Sequence, residues 1–114
     1  MKPLAEQGDV KAQYFLSVMY KIGDVVTQDY EQRIYWATKA AEQGHAKAQY
    51  NLGHIYVKGD GTPQDYVMAH MLFNIASISG TENAKTNRDK VADMMTLNQI
   101  EQAQRLAKEW MEKY

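Results

Sequence analysis

Residues 5–14 read A-E-Q-G-D-V-K-A-Q-Y, and residues 41–50 read A-E-Q-G-H-A-K-A-Q-Y. When residues 5–40 are laid on residues 41–76 without a gap, 16 of the 36 positions are identical. Chance does not produce such a match over this length. Self-similarity at a fixed period is typical of repeat architectures, in which each unit buries its apolar face against the next. The sequence therefore predicts a repeat solenoid.

Each unit reads as helix, loop, helix. In the first unit Asp9 is placed to cap a helix that runs to about Ile22. The apolar residues of this segment recur at i, i+4, i+7 and i+8, which is one helical face: Ala12, Leu16, Met19 and Tyr20. A loop over 23–28 follows, Asp29 opens the second helix, and Gly44 ends it in a left-handed turn.

The second unit repeats this plan, and the third departs from it. We predict helices over about 46–58 and from Asp65 to about Ser79, which Gly80 ends. In the third unit a helix covers about 82–94, and a capping box at Thr96 to Gln99 starts the last helix, about 97–113. One face of that last helix is polar, as a terminal repeat requires, because its outer side meets water.

These elements predict an all-α fold of about six helices in a single domain. Residues 1–8 match the last turn of a preceding second helix, 9–44 are repeat one, and 45–80 are repeat two. Residues 81–114 form a degenerate repeat with its capping helix.

Composition narrows the classes of function. The 114 residues include 13 basic and 14 acidic side chains, so the net charge is −1. A basic patch for nucleic acid or for a membrane surface is missing. The chain has no cysteine, which excludes disulfides and thiolate metal sites. No apolar run reaches transmembrane length, and residues 1–3 lead into polar sequence rather than a signal peptide.

No set of residues with the spacing of a catalytic or metal site is found. The histidines lack an H-E-x-x-H motif and an acid at ligand spacing on the same helix face, so we expect solvated surface side chains: His45, His54 and His70. The serines lie in no nucleophile motif: Ser17, Ser77 and Ser79. Turn geometry explains the glycines at 59–61. We therefore predict no catalytic residue, no metal and no cofactor, and a protein that is not an enzyme.

The pattern resembles the Sel-one-like repeat (SLR) family, relatives of the tetratricopeptide repeat. The resemblance rests on A-E-Q-G-H-A-K-A-Q-Y-N-L-G at 41–53, the loop G-D-G-T-P-Q-D-Y at 59–66, and the Ala40–Ala41 doublet. The stretch 87–110 is similar to the C-terminal finish of bacterial members. The resemblance implies a right-handed α/α superhelix that acts as an adaptor scaffold. Its concave surface, lined mainly by the first helix of each pair, would receive partner segments.

Mapping that surface onto this chain gives a tyrosine-rich strip with flanking lysines. The candidate partner-binding residues, taken from the first helices of the three units, are Lys11, Tyr14, Phe15, Val18, Lys47, Tyr50, Asn51, His54, Asn87 and Lys90. Tyrosine supplies contact area and a hydroxyl group at low entropic cost. The flanking lysines favour an acidic or neutral extended peptide. Two interpretations of Tyr14 and Tyr50 stay open, namely groove residues and inter-repeat packing.

Two positions depart from the repeat pattern. Val25 stands where the second unit has Gly61, so a different turn is expected in the first loop. Arg33 stands where Ala69 packs, so either the first helix pair opens or Arg33 extends to solvent and pairs with an acid. The N-terminal edge is expected to expose apolar surface, which makes it a candidate for self-association.

Three functions are weighed on these grounds. The first is an adaptor that binds another protein or an extended peptide through the concave face. The second is a structural segment of a longer repeat array that has no ligand site of its own. The third, an enzyme such as a β-lactam hydrolase, requires a nucleophile beside a base, and the sequence has none.

Overall fold

A computed structural model describes residues 2–22 and 29–114 of the protein. Those ranges form seven helices and no strand, which confirms the predicted all-α class. The helices are α1 (Lys2–Glu6), α2 (Val10–Ile22), α3 (Tyr30–Glu42), α4 (Ala46–Lys58), α5 (Tyr66–Ile78), α6 (Glu82–Ala92) and α7 (Leu97–Lys113). The predicted loop at 23–28 lies outside the described residues, as do the helix end expected at Gly23 and the turn expected at Val25.

The helices begin at side chains that satisfy their free backbone amides. The Asp9 carboxylate accepts a hydrogen bond from the Ala12 amide at 2.9 Å, and Asp29 accepts from two amides of α3. Asp65 accepts from the Met68 amide at 3.1 Å. At the start of α7, Thr96 and Gln99 form both hydrogen bonds of the capping box. The helix starts predicted from these residues are confirmed.

Left-handed glycines end two of the helices where the sequence predicts it. Gly44 has a φ of 88° and Gly80 a φ of 101°. A side chain at either position would strain the backbone, because L residues rarely adopt positive φ. The chain therefore reverses direction between α3 and α4, and again between α5 and α6, without a long connection.

Consecutive helices pack against each other from α1 to α6, and α7 packs against α5. The largest core cluster joins α3, α4, α5 and α7, with Ala40, Ala48, Leu72 and Ala107 among its buried members. Small residues that recur in the two units are buried: Ala12, Ala40, Ala48 and Ala76. Small side chains here allow helix backbones to approach closely. The molecule is elongated, with principal extents of 42 × 26 × 21 Å.

A buried glutamine recurs at the junction between units. The Gln13 side chain donates to the Ala5 carbonyl at 3.0 Å, and Gln49 donates to the Ala41 carbonyl at 3.1 Å. Each amide adds a hydrogen bond to a carbonyl in the last turn of the preceding helix, which also accepts from the backbone amide of the glycine that follows, Gly8 or Gly44. The opposite end of each glutamine accepts a hydrogen bond, from Gln43 in the first unit and from Ser79 in the second. This network explains the glutamine of the repeated K-A-Q-Y motif.

Arg33 does not extend to solvent, and that alternative of our prediction is wrong. The residue is 8% exposed, and no carboxylate of the described residues lies within ion-pair distance of it. Burial lowers the pKa of Arg33, and the nearby Asp60 carboxylate offsets part of that effect. Most of the Arg33 side chain is therefore covered by the helix packing.

Candidate protein-binding face

The ten predicted site residues lie on α2, α4 and α6, the first helices of the three units. We call the surface that these helices share the first-helix face. Four of its predicted side chains are exposed: Lys11, Phe15, Lys47 and Lys90. The other six are half-buried: Tyr14, Val18, Tyr50, Asn51, His54 and Asn87. The face thus combines exposed cations and one exposed aromatic ring with a partly buried floor.

An open depression of about 530 Å³ lies between α2 and the start of α4. Its lining is Lys11, Tyr14, Phe15, His45, Ala46 and Lys47. Phe15 is 51% exposed, and the Tyr14 ring stacks on the His45 ring at 4.5 Å. An apolar rim of this kind, flanked by two lysines, suits an apolar side chain next to an acidic one.

A second depression, of about 200 Å³, lies between α4 and α6. Its lining is His54, Val57, Phe73, Asn87, Lys90, Val91 and Met94. The Asn87 amide donates a hydrogen bond to the Tyr50 hydroxyl at 2.7 Å. Asn87 therefore already has a partner inside the molecule, and it links α6 to α4.

Tyr14 and Tyr50 each combine core packing with a position at the face. Tyr14 packs against the largest core cluster and also lines the first depression. The Tyr50 ring lies 5.7 Å from the buried Phe73 ring and 4.7 Å from His54. Tyr50 thus supports the floor of the face, whereas Tyr14 also has surface available to a ligand.

A third depression, of about 260 Å³, is the most polar of the three. Its lining is Lys21, Arg33, Asn51, His54, Lys58 and Asp60. His54 also lines the second depression, so the two adjoin at that side chain. Burial lowers the pKa of His54, and the positive charges of Lys58 and Lys21 lower it further. Of the predicted residues, Val18 and Tyr50 line none of these three depressions.

Sequence reasoning missed several residues of these depressions. His45 was expected at the surface of a helix start, yet its Nδ1 accepts a hydrogen bond from the Ala48 amide and its ring stacks on Tyr14. Lys58 lies seven positions after Asn51, a spacing that places the two residues on the same face of α4. The sequence therefore contained a signal for Lys58. Arg33 and Asp60 lie on other elements, so no local signal joins them to Asn51.

The expectation of solvated histidines is wrong for His70. This residue is 4% exposed, and its Nδ1 has no hydrogen-bond partner among the described residues. Burial lowers the pKa of His70, Arg88 lowers it further, and Asp89 acts in the opposite sense. The 13 residues of α5 are apolar on most sides, because α4, α6 and α7 all pack against it. That pattern was the available signal for a buried histidine.

Within residues 2–22 and 29–114, no three histidine, cysteine or acidic side chains are grouped as metal ligands would be. None of the described helices has both the length and the apolar character needed to cross a bilayer.

Helix pairs that stack side by side, each in contact with its neighbours, define the class of α-helical repeat solenoids. Within that class the chain belongs to the Sel1 repeat family, whose model matches residues 10–45, 46–80 and 92–113. Sel1 repeats are protein-interaction modules, and the SLR fold is typically a non-catalytic scaffold. The resemblance seen in the sequence is thereby confirmed.

Two solved structures share the fold. One is a protective antigen present in uropathogenic Escherichia coli strains that displays an SLR fold, with 37% identity, a TM-score of 0.92 and 96% of this chain covered. The other is a Sel1 repeat protein from Oxalobacter formigenes, with 36% identity, a TM-score of 0.72 and 74% covered. The chain spans 24% of the first of those chains and 35% of the second. No curated protein matches it.

Proposed function

We propose that this chain is a protein-binding adaptor whose first-helix face holds an extended segment of another protein. One observation carries the proposal: Phe15, an aromatic side chain 51% exposed, stands at the rim of an open depression between α2 and α4. An exposed aromatic ring in a concave setting costs solubility and supplies binding energy when covered. No catalytic step is part of the proposal.

The lysines beside the depression indicate the charge of the segment. Lys11 and Lys47 both line it and are both exposed, so their charges remain hydrated until a ligand arrives. Exposed cations of this kind raise the rate of association with an acidic chain more than they raise the final affinity. The proposed ligand is therefore neutral or acidic, with at least one apolar side chain.

The proposal is tested by selecting binders from a random peptide library with the wild-type protein and with Phe15→Asn. Asparagine is the residue at the equivalent position of the second unit, Asn51, so the helix should tolerate it. We expect peptides selected by the wild type to bind the variant at least tenfold more weakly, a loss of about 1.4 kcal/mol.

Leu97→Ala is the control, because Leu97 is 70% exposed and lies on α7, away from the first-helix face. The variant should bind the selected peptides as the wild type does. Peptides that bind all three proteins equally, with helicity unchanged in each, would remove the first-helix face from consideration.

A second candidate function concerns the N-terminal edge. Leu4 is 53% exposed, and a depression of about 310 Å³ lined in part by Tyr35, Trp36 and Lys39 lies beside α1. An apolar edge of this kind suits contact with a further repeat or with a second copy of the chain. Sedimentation of the wild type and of Leu4→Glu tests it. A concentration-dependent dimer that the variant lacks would favour this candidate.

A further inference from the structure

The polar depression on the first-helix face carries an excess of positive charge. Arg33 and Lys58 contribute two cations to its lining, and Asp60 contributes one carboxylate. These two cations outnumber that carboxylate, although the net charge of the whole chain is −1. Cations gathered in a recess repel one another, so the arrangement costs free energy unless an anion enters.

Arg33 distinguishes this depression from a group of surface lysines. Its side chain is 8% exposed, yet no carboxylate of residues 2–22 and 29–114 is within ion-pair distance of it. Its equivalent in the second unit is Ala69, which is fully buried and packs without any charge. The repeat architecture therefore does not require an arginine at this position. A guanidinium that has no ion pair and lines a depression retains donors for an incoming acceptor.

We infer that this depression binds a carboxylate group of the partner segment, with Arg33 as its principal donor and Lys58 and Asn51 beside it. This inference rests on the proposed function, because the depression and the Phe15 rim lie on the same face. Arginine holds a carboxylate through two parallel N–H donors, which fixes orientation as well as charge. The Asp60 carboxylate in the same lining limits the excess positive charge, which suits a monoanion.

The spacing between the two depressions sets the pattern of the ligand. Phe15 and Lys21 are six residues apart on α2, a rise of about 9 Å along the helix. An extended peptide covers that distance in about three residues. The partner segment therefore carries an apolar side chain and an acidic one about three positions apart.

The test is a fluorescence-polarisation titration with two labelled peptides, both blocked at their termini. One has a leucine and a glutamate three positions apart, and the other has glutamine in place of the glutamate. The proteins are the wild type, Arg33→Ala and Lys58→Gln, with Lys108→Gln as the control on the exposed face of α7. Alanine is the residue of the second unit at this position, so Arg33→Ala should fold, and its circular dichroism checks this.

We expect the glutamate peptide to bind the wild type about tenfold more tightly than the glutamine peptide. Arg33→Ala should abolish that difference while leaving the glutamine peptide unaffected, a result that a merely structural role for Arg33 does not produce. Lys58→Gln should reduce the difference by about threefold, because a single exposed lysine contributes less. Lys108→Gln should bind both peptides as the wild type does.

Other outcomes overturn the inference. Equal affinity of the two peptides for the wild type removes the carboxylate site, and the Phe15→Asn comparison then shows whether the face itself still binds. If neither peptide binds the wild type measurably, that result also counts against the carboxylate site. The library selection then decides independently whether the first-helix face binds a partner. If inorganic phosphate displaces the glutamate peptide at lower concentration than acetate does, the recess is a phosphoryl site and the carboxylate assignment is wrong.

Discussion

Gly53 and Phe73 occupy the positions that Ser17 and Ala37 hold in the first unit. A methyl group on Gly53 would lie 2.7 Å from Cε1 of the Phe73 ring. That ring is 1% exposed and contacts the rings of Tyr50 and His54, so it has no free direction in which to move. Compared with the first unit, the second unit thus has a large residue on α5 in place of a small one, and a glycine on α4 leaves room for it.

Gly53→Ser is therefore expected to destabilise the fold by about 1–3 kcal/mol through overpacking, despite serine's better helix propensity. In a Phe73→Ala background the same change should cost close to nothing, because the pair then matches Ser17 and Ala37 of the first unit. Urea unfolding of the two single variants and the double variant measures the coupling. If the losses in free energy of unfolding of the two single variants add up to that of the double variant, the Phe73 ring does not constrain the residue at position 53.

His45 predicts a specific dependence of stability on pH. Its Nδ1 caps α4 by accepting from the Ala48 amide, and burial together with the positive charge of Lys47 lowers its pKa. As the pH falls below about 6.5, the unfolded chain takes up a proton at this site before the folded chain does. The contribution of neutral His45 to stability is therefore present at neutral pH and is lost on acidification.

The test replaces His45 with asparagine, which is a good helix cap and does not titrate. His54 and His70 remain in both proteins, so their contributions cancel in the comparison. The free energy of unfolding of His45→Asn should decline less than that of the wild type between about pH 7.5 and pH 5.5. Parallel declines in the two proteins would mean that His45 has the same pKa in the folded and unfolded states.

At the scale of single helices, α6 and α7 offer a matched pair of caps. Thr96 caps α7 through the Gln99 amide at 3.1 Å, whereas Thr81 at the start of α6 makes no capping hydrogen bond with its side chain. The residue type and the position are the same in the two helices. Only Thr96 makes the capping hydrogen bond with its side chain.

Thr96→Ala should lower the free energy of unfolding by about 1 kcal/mol, because it leaves an amide of the first turn without a partner. Thr81→Ala should change it by less than about 0.5 kcal/mol. Thermal unfolding followed at 222 nm by far-ultraviolet circular dichroism compares the two variants. If Thr81→Ala costs as much as Thr96→Ala, the contribution of threonine at these positions is not the capping hydrogen bond.

Over the whole molecule, α7 ties the last unit to the first. Ala107 belongs to the core cluster that contains Ala40 and Ala48, and Trp110 packs against the same cluster. The Tyr114 hydroxyl donates a hydrogen bond to the Glu42 carboxylate at 2.9 Å, across 72 positions of sequence. A solenoid usually couples only neighbouring units, so this contact extends cooperativity along the chain.

Trp110→Ala is therefore expected to destabilise other helices as well as α7. We expect a loss of about 2 kcal/mol, roughly half the cost at a fully buried tryptophan, since this side chain is half-buried. Hydrogen exchange should show reduced protection in α3 and α5 as well as in α7. Glu109→Ala, one position away and exposed, is the control. Loss of protection confined to α7 would show that the last helix opens independently.

The sequence by itself determined the features that depend on neighbours along the chain. The helix starts at Asp29 and Asp65, the left-handed turns at Gly44 and Gly80, and the capping box at Thr96 follow from residues within about four positions of each other. The period of 36 follows from comparing the sequence with itself. The repeat family followed from the same local motifs. These elements agree closely with the structure because propensity, capping and pattern favour the same helices.

Only the tertiary structure decided which side chains from different helices share a space. Arg33, Lys58 and Asp60 meet because α3 packs against α4 at one particular crossing, which no spacing along the chain encodes. The burial of His70 likewise depends on what α6 and α7 place around α5, and the exclusion of a side chain at Gly53 depends on how Phe73 of α5 packs against α4. Local pattern sets the face that a helix turns inward, and packing between helices sets what that face meets.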